Sequence, residues 1–513
     1  MKARSEILLK KHFETNSLVE SDIESFNGLV DTGLQEIIDG NKEIEPTIIP
    51  PDVEEFKIRF NKIWVEMPDK SNEVKGPVIV EADGSKRKIF PTEARLRKIT
   101  YSAPIYLEVS AHINGVQRES FIIEIGNLPI MLKSRYCHLH GMTREELILR
   151  GEDPDDPGGY FIINGTEKVI VNIEDLISNK VMIDKAPTTT GAKIAAKLFS
   201  ESGSFKIPHI IEKLNDGIFY ISFTRVRRVP VVVILKALGL LKDEDIVKFI
   251  SADRTFDEVF MNLYEFIEIK TQEDAIDYIA KKVGITQAKD IRVERMKEIL
   301  HKYFLPHLGI TPSENVVKAY NLCKMLKHFI LALNDERPED DKDHYMNKRI
   351  KCSGDLLADV IRVNIKVLIS DLLYNFQRIV KRGKFPSIRV IIREKLLTGR
   401  IYSAMATGNW VGGRKGVSQR IERVNFLQTM SLLQRIISPL SASQENFEAR
   451  ALHPTHFGKL CPVETPEGTN IGLRKNMALF CKISEGEEDN KVLATIKHLN
   501  LRLPGVKEEL SEE

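Results

Sequence analysis

The apolar residues of this chain change their spacing along its length, and this change constrains the fold more than any other feature. Over residues 54–171 they alternate or run together at strand length, as at 58–65 and 105–113, which is typical of β-strands. Over residues 354–382 they recur at every third or fourth position, which is typical of a long helix with one buried face. The chain of 513 residues therefore predicts an α+β multidomain fold, with about three domains by length.

Helix breakers and turn signals divide the rest of the chain. Residues 1–45 carry a helical pattern that ends at the three prolines of residues 45–52. Asn114-Gly115 and Asn164-Gly165 stand between strand-like runs and predict type I′ hairpin turns, in which both central residues need positive φ. A separate α+β unit is expected over residues 176–333, followed by a polar connector at 334–343. Within that unit we expect strands at 218–225 and 229–234 and helices at 253–266 and 273–283.

The overall composition excludes several classes of protein. Lys and Arg total 75 against 73 Asp and Glu, a net charge of +2, which excludes a uniformly basic nucleic-acid coat and an acidic disordered tail protein. The five cysteines show no CxxC spacing, so neither a disulfide framework nor a thiolate zinc site is expected. No apolar run approaches the roughly 18 residues of a membrane-spanning helix, and no secretory signal is present. We therefore expect a cytoplasmic protein with no membrane contact.

One segment departs from this charge balance. Residues 381–435 hold twelve Lys or Arg against two Glu, a net charge of +10 in 55 residues. Fixed cations along a groove bind phosphates, and arginine also forks onto phosphate oxygens or stacks on bases. Two interpretations remain open from the residues alone: a nucleic-acid site, or a solvated helix face followed by a turn.

The motifs do not assemble a complete enzyme. Residues 408–416, GNWVGGRKG, resemble a P-loop, but Arg414 and Lys415 stand where the Lys and Ser/Thr of that motif meet the phosphates and Mg²⁺. The histidine pairs near residues 138 and 453 have no second cluster to complete a metal site. No nucleophile signature is present. The chain therefore predicts a binding and scaffolding component with no cofactor of its own.

Residues 461–476, CPVETPEGTNIGLRKN, form a tightly turning segment. Glu464 and Glu467 stand close to Arg474 and Lys475, and Arg450 lies upstream. Carboxylates can order a basic site through charge-assisted hydrogen bonds. The alternative is an ordinary salt-bridged turn, and composition alone does not choose between them.

The longer segment 453–476, HPTHFGKLCPVETPEGTNIGLRKN, resembles the signature of the second-largest subunit of multisubunit DNA-dependent RNA polymerases. The resemblance continues in order along essentially the whole chain. After residue 171 the chain lacks the bacterial continuation, which favours the archaeal and eukaryotic branch. The other matching segments are TEARLRKITYSAPIYLEV (92–109), LPIMLKSRYC (128–137), GGYFIINGTEKVIV (158–171), DKDHYMNKRIKCSGDLL (341–357), and ATGNW and GVSQ within 406–419.

The resemblance implies an architecture and a set of partners. It implies a protrusion of mixed β-sheet and helices (1–174 and 340–405), an α+β lobe (175–339), a helical and irregular fork (406–485), and the start of an external region with an acidic C-terminal tail (486–513). The family's chain is much longer, so we expect the N-terminal half of a split second-largest subunit, similar to the archaeal B″ polypeptide. The implied partners are the C-terminal half of that second-largest subunit, the largest polymerase subunit, other core subunits, template DNA with the RNA–DNA hybrid, and general initiation factors.

The resemblance also implies a role within the enzyme. The chain would form part of the DNA cleft and active-centre wall, with no catalytic residue and no metal ligand of its own. The NADFDGD motif is absent, so the catalytic Mg²⁺ is expected on the largest subunit. The residues expected to bind nucleic acid are Arg414, Lys415, Gln419, Arg420, Arg423, Arg435, Arg450, Glu467, Asn470 and Arg474.

A rival hypothesis belongs to another class of protein. A stand-alone nucleic-acid-binding factor would need only the basic residues 381–435 and no partner chain. A third hypothesis, an independent nucleotide-using enzyme, is disfavoured by the incomplete P-loop. Affinity for polymerase partner chains would discriminate the first two hypotheses.

Overall fold

The computed structural model describes residues 2–50, 53–69, 74–186, 191–203, 205–385, 387–484, 486 and 489–499. Helices and several separate sheets confirm the α+β multidomain class. The acidic tail expected at residues 508–513 lies outside the described residues. Within the part of the chain that is described, no helix has the length and apolar character needed to cross a membrane.

The strands are short to medium in length and most are antiparallel. They are β1 (Glu43–Ile44), β2 (Phe56–Val65), β3 (Val78–Val80), β4 (Lys86–Lys88), β5 (Ser102–Ile113), β6 (Val116–Pro129), β7 (Phe161–Ile163), β8 (Thr166–Ile170), β9 (Asn172–Leu176), β10 (Val181–Lys185), β11 (Ile194–Ser202), β12 (Phe205–Lys213), β13 (Phe219–Phe223), β14 (Val226–Pro230), β15 (Lys348–Lys351), β16 (Ser418–Arg420), β17 (Arg435–Ile437) and β18 (Arg474–Asn476).

The helices include one of 28 residues, α12, and many of two or three turns. They are α1 (Lys2–Thr15), α2 (Glu20–Gly28), α3 (Leu34–Asp39), α4 (Pro91–Leu96), α5 (Arg144–Leu149), α6 (Val231–Ala237), α7 (Asp243–Ile250), α8 (Asp257–Glu265), α9 (Gln272–Val283), α10 (Lys289–Tyr303), α11 (Asn315–Leu333), α12 (Ser353–Val380), α13 (Ile388–Ile391), α14 (Glu394–Thr407), α15 (Phe426–Leu433), α16 (Phe447–Arg450) and α17 (Asp489–His498).

The strands assemble into separate sheets. The first has the order β1-β2-β5-β6, and β3 pairs with β4 alone. Strands β10 to β14 form an antiparallel meander, and β16-β8-β7 form a small sheet. The order β15-β9-β17-β18 joins strands from distant parts of the chain, with β9 and β17 parallel. This last sheet carries the candidate site.

Both Asn-Gly turns form as the sequence predicts. Asn114 and Gly115 have φ of 50° and 79°, and Asn164 and Gly165 have φ of 49° and 74°. Each pair closes a two-residue hairpin loop, between β5 and β6 and between β7 and β8. Positive φ at both positions is the requirement of a type I′ turn, and Asn and Gly tolerate it best.

A main core packs around α12, which forms where the sequence predicts a long helix, over residues 354–382. This core joins buried residues between 19 and 173 to buried residues between 356 and 433. Leu356, Ile365 and Phe376 of α12 are fully buried. Phe376 stacks on Phe56 of β2, with ring centroids 4.9 Å apart. The apolar stripe read from the sequence is therefore the central contact of the main core.

A second core lies entirely within residues 183–332. Helices α8 and α9 form at the predicted places, but the strand predicted at 229–234 is wrong beyond Pro230. From Val231 the chain forms α6, and every residue of this helix is buried. An apolar run that is buried on all sides has no periodicity to distinguish a helix from a strand. The division into protrusion, lobe and fork stays a prediction.

The first turn of α12 packs directly against the backbone of α2. There is no room for a side chain at Gly354, because an added Cβ would overlap the carbonyl group of Ser25. We expect Gly354→Ala to destabilise the fold by about 1–3 kcal/mol, although alanine normally favours a helix. The matched control is Gly28→Ala, where an added Cβ meets no atom within 4 Å, and it should be neutral or stabilising by up to about 1 kcal/mol. Urea unfolding of the two variants measures this difference, and equal stabilities would contradict the packing.

Candidate nucleic-acid interface

The candidate site is built on the two faces of the sheet β15-β9-β17-β18. Side chains alternate between the faces of a strand, and the strand register pairs Ile437 with both Ile173 and Arg474. These three residues therefore share one face of the sheet. Glu174 and Lys475 belong to the other face, where their side chains meet. The four strands are far apart in sequence, so the site exists only in the complete fold.

A cleft of about 490 Å³ lies over the face that carries Ile173 and Ile437; we call it the basic cleft. Residues 412–416 form one wall of this cleft. The loop is anchored at Trp410, whose indole Nε1 donates a hydrogen bond to the carbonyl oxygen of Leu356 in α12 at 2.7 Å. The described residues that line the cleft include no Asp or Glu. They include three cations, Arg414, Lys415 and Arg474.

Half of the residues predicted from the resemblance line this cleft, namely Arg414, Lys415, Gln419, Asn470 and Arg474. Lys415 is exposed, and the other four are partly buried. The Gln419 amide donates a hydrogen bond to the carbonyl oxygen of Gly416 at 3.0 Å, which holds it across the loop. Their contact with nucleic acid stays a prediction.

Arg414 has an internal partner as well as a place in the cleft. Its Nη2 lies 2.9 Å from Oδ2 of Asp175 in β9. The same oxygen accepts a hydrogen bond from Nζ of Lys206 at 2.7 Å. Asp175 therefore ties the cleft loop to β12 of the second core, and Arg414 presents only part of its charge to a ligand.

Arg435 lies on β17, beside Arg474 of the neighbouring strand. Burial lowers the pKa of Arg435, the positive charge of Arg474 lowers it further, and Glu464 and Glu422 act in the opposite direction. In the described part of the chain neither guanidinium forms an ion pair. Two neighbouring cations without a paired carboxylate attract an anion.

Arg423 is held by partners within the protein. Its Nε lies 2.6 Å from Oε2 of Glu167, and its Nη2 lies 2.8 Å from both Oδ2 of Asp156 and the hydroxyl of Tyr160. The bond to Glu167 is the main cause of a raised pKa for Arg423. Its geometry is that of an internal brace that joins the residues after β16 to β8 and to Asp156.

Arg450 is also held internally, by backbone oxygens. Its Nη1 donates to the carbonyls of Thr469 and Ile471 at 2.7 and 3.0 Å, and its Nη2 donates to Ala442 at 2.9 Å. This guanidinium therefore connects the backbone at residue 442 to the backbone at residues 469–471, and it does not line the cleft. Arg420 and Glu467 are exposed outside the cleft lining.

Of the two interpretations that the sequence leaves open for residues 461–476, ordering by the nearby glutamates does not describe Lys475 or Arg450, whose partners lie elsewhere. Glu464 accepts a hydrogen bond from the hydroxyl of Ser431, and Lys475 pairs instead with Glu174. Glu464 and Glu467 are nearer to Lys475 in sequence, but the Lys475 side chain lies on the face of its strand opposite to Arg474 and the cleft. The tertiary fold supplies its partner from β9.

The buried face of the sheet holds a charge cluster that sequence reasoning missed. Glu174 is 3 % exposed, and its carboxylate contacts Nζ of Lys475 at 3.0 Å and Nζ of Lys348 at 3.3 Å. Lys348 also contacts Asp343 at 3.1 Å. Burial acts to raise the pKa of Glu174, but the two lysines outweigh it and hold the pKa below its ordinary value. No local signal could reveal this cluster, because the partners of Glu174 are 174 and 301 residues away.

Metal ligands are not grouped in the part of the chain described. There, no set of three or more His, Cys, Asp and Glu side chains is arranged to hold a metal ion. The cationic lining of the basic cleft likewise does not suit Mg²⁺, which prefers oxygen ligands.

The chain matches two family models. Residues 17–399 match the model described as the RNA polymerase beta subunit, and residues 419–483 match domain 3 of RNA polymerase Rpb2. Together they include β9, β15, β17 and β18. The sheet under the basic cleft is therefore built from both matched regions.

Similar proteins come in two lengths. DNA-directed RNA polymerase subunit Rpo2N of Methanocaldococcus jannaschii is 44 % identical over 504 residues, covering 97 % of this chain and 99 % of that protein. Subunit Rpo2N of Methanothermobacter thermautotrophicus strain Delta H is 40 % identical, with 96 % of each chain covered. Subunit Rpo2 of Saccharolobus solfataricus is 41 % identical over 96 % of this chain, which spans only 43 % of that protein.

Proposed function

The chain belongs to the RNA polymerase beta-subunit family as an N-terminal Rpo2N-type part, and from this premise we propose that its basic cleft holds the phosphate backbone of the RNA–DNA hybrid and template DNA. The protein is a subunit of a DNA-directed RNA polymerase, a nucleotidyltransferase. Its own contribution is to position nucleic acid. The rival hypothesis of a stand-alone factor has no support from the relatives described above.

One observation carries this proposal. The basic cleft gathers Arg414, Lys415 and Arg474 with no carboxylate among its described lining residues, and Arg435 lies half-buried beside Arg474. Cations in a groove bind a polyanion in a sequence-independent and salt-sensitive way. Among the described residues, Lys415 and Arg474 form no ion pair with a carboxylate, whereas Arg414 shares its charge with Asp175. Gln419 and Asn470 supply uncharged hydrogen-bonding groups to the same surface.

Chemistry on the nucleotide belongs to another chain in this proposal. Two-metal nucleotidyl transfer needs carboxylates that hold Mg²⁺, and the cationic cleft does not fit that ion. We place Mg²⁺ on the largest subunit, and no step is assigned to a metal on this chain. The cleft residues orient the nucleic acid by holding phosphate oxygens, which places it for reaction elsewhere.

The partners proposed are the C-terminal half of the second-largest subunit, the largest subunit, other core subunits and general initiation factors. Exposed apolar side chains support a protein interface, since Phe457, Val463 and Leu427 are 94, 83 and 77 % exposed. Such side chains mark association surfaces when they cluster. The rest of the longer Rpo2 relative would be supplied here by the C-terminal half.

Assembly tests this proposal. The chain is purified alone, and then with a candidate C-terminal half and largest subunit, and each sample is analysed by size-exclusion chromatography with light scattering. We expect a stable complex that binds a labelled RNA–DNA hybrid more tightly than the chain alone does. A monodisperse monomer with no affinity for either partner would contradict the proposed function.

A further inference from the structure

An open apolar groove lies between α7 and α8 on the second core. Its volume is about 900 Å³, and none of its described lining residues also lines the basic cleft. Helix α7 contributes Val247 and Ser251 to the lining, and α8 contributes Phe260 and Tyr264. We call this the acidic groove, lined by residues within 243–255 and 260–267.

The wall of the groove on the α8 side is an apolar face that no other part of the described chain covers. Phe260, Leu263, Tyr264 and Ile267 all line the groove, at the spacing of three and four residues that brings helical side chains to one face. Leu263 is buried, but Phe260, Tyr264 and Ile267 are 47, 78 and 54 % exposed. Exposed apolar side chains gathered in one groove mark an association surface, and aromatic rings are enriched as the anchors of protein interfaces.

A buried hydroxyl in the groove lacks a hydrogen-bond partner. Ser251 follows the last residue of α7 and is 7 % exposed, and its N–H donates to the carbonyl oxygen of Val247 at 3.0 Å. Its Oγ, by contrast, meets no hydrogen-bonding group among the described residues. An unpaired buried polar atom costs free energy, so the Ser251 hydroxyl is available to a group that enters the groove.

The surface around the groove is acidic. Residues 242–268 hold eight Asp or Glu against three Lys or Arg, a net charge of −5 in 27 residues. The two cations in the described lining are already paired, Lys248 with Glu244 at 2.6 Å and Arg254 with Glu336 at 2.7 Å. This charge repels a nucleic acid and attracts a cationic partner.

The shape of the acidic groove fits a helix. Two helices form its sides, and an amphipathic helix that lays its apolar face in such a groove is a recurrent mode of peptide recognition. Helix α8 has nine residues, and at about 1.5 Å per residue a partner helix of about three turns covers it. A contact of this size is typical of reversible association and too small for a permanent subunit interface.

We propose that the acidic groove binds a basic amphipathic helix of a protein that associates reversibly with the assembled polymerase. Apolar side chains on one face of that helix contact Phe260, Tyr264 and Ile267. Lys and Arg side chains on its flanks lie beside the carboxylates of the rim, among them Asp253, which forms no ion pair in the described part of the chain. This interaction is separate from the nucleic acid that the basic cleft is proposed to hold.

Fluorescence anisotropy with a synthetic helix tests this inference. The probe is a fluorescein-labelled peptide of about five turns, made of lysine and of leucine at every third or fourth position, and it is added to the full chain and to the assembled polymerase. We expect saturable binding to both, weakened about tenfold or more by Tyr264→Ala with Ile267→Ala. Asp253→Lys should weaken it about threefold and reduce its salt dependence. The affinity for an RNA–DNA hybrid should not change in either variant.

The matched control variant is Tyr374→Ala with Ile291→Ala, because these two side chains are also exposed but lie outside the groove. This variant should bind the peptide as the wild type does. The matched control peptide has the same composition in an order that gives the helix no apolar face, and it should bind about tenfold more weakly or worse.

Three results would overturn the inference. The first is equal affinity for the two peptides, or equal losses in the two double variants. The second is binding to the chain alone but not to the assembled polymerase, which would indicate a core subunit that covers the groove permanently. The third is a dimer of the chain, seen by light scattering, that Tyr264→Ala with Ile267→Ala abolishes, since a second copy would then be the occupant. Hybrid affinity is a separate measurement, so none of these results bears on the basic cleft.

Discussion

Reversing two charges of the basic cleft, Lys415→Glu with Arg474→Glu, is expected to weaken binding of an RNA–DNA hybrid by the assembled polymerase by about 100-fold or more. Each charged hydrogen bond to a phosphate contributes about 1.5–3 kcal/mol, and about 1.4 kcal/mol corresponds to a factor of ten. Charge reversal adds repulsion to the loss of both contacts. Fluorescence anisotropy with a labelled hybrid, at one fixed salt concentration, measures the affinity.

The matched control reverses two charges within residues 381–435 that lie outside the cleft. Lys395 and Arg400 are exposed on α14, and neither lines the cleft. Lys395→Glu with Arg400→Glu should change the affinity only through general electrostatics, by less than about tenfold at physiological salt. Equal losses for the two double variants would show that the overall charge of residues 381–435 matters and that the cleft does not.

Removing the buried carboxylate at the centre of the sheet, by Glu174→Ala, is expected to lower the free energy of unfolding by about 3–5 kcal/mol. The substitution leaves Lys475 buried without its counter-charge and leaves Lys348 with Asp343 as its remaining carboxylate partner. Urea unfolding followed by tryptophan fluorescence measures the change, since Trp410 is buried against α12 beside this sheet.

The comparison for Glu174 is an ion pair that solvent screens. Glu244 and Lys248 lie 2.6 Å apart on α7 but are 76 and 66 % exposed, so Glu244→Ala should change the free energy of unfolding far less than Glu174→Ala does. Glu174→Gln keeps the side-chain shape but removes the charge, so its free energy of unfolding should fall by most of the amount expected for Glu174→Ala. If Glu174→Ala stays within about 1 kcal/mol of the wild type, the Glu174 contacts do not hold the four strands together.

Both predictions concern one sheet, and the sheet explains why they are linked. Glu174 and Lys475 hold β9 and β18 together on the buried face, whereas Arg474 lies on the cleft face of the same strand as Lys475. Loss of the buried pair should therefore also disturb the spacing of the cleft cations. Hybrid affinity of Glu174→Gln should fall even at a temperature where the variant remains folded.

Local patterns predicted many of the elements because local forces dominate them. The Asn-Gly turns need two residues at positive φ, and the stripe of α12 needs one buried helix face; both requirements are visible over a few residues. Helix α6 was missed because burial on every side erases periodicity. The Rpo2N-type relationship was also visible in sequence, since residues 453–476 carry a long and specific motif.

For the site, the sequence by itself determined which residue types are concentrated in residues 381–476 and that they resemble the fork of a polymerase subunit. Only the tertiary structure decided which cations remain available to a ligand. Arg423 and Arg450 are taken up by Glu167 and by backbone carbonyls, whereas Lys415 and Arg474 face the basic cleft. The physical reason is distance along the chain: charges interact through space, and residues hundreds of positions apart meet only when the sheet β15-β9-β17-β18 has formed.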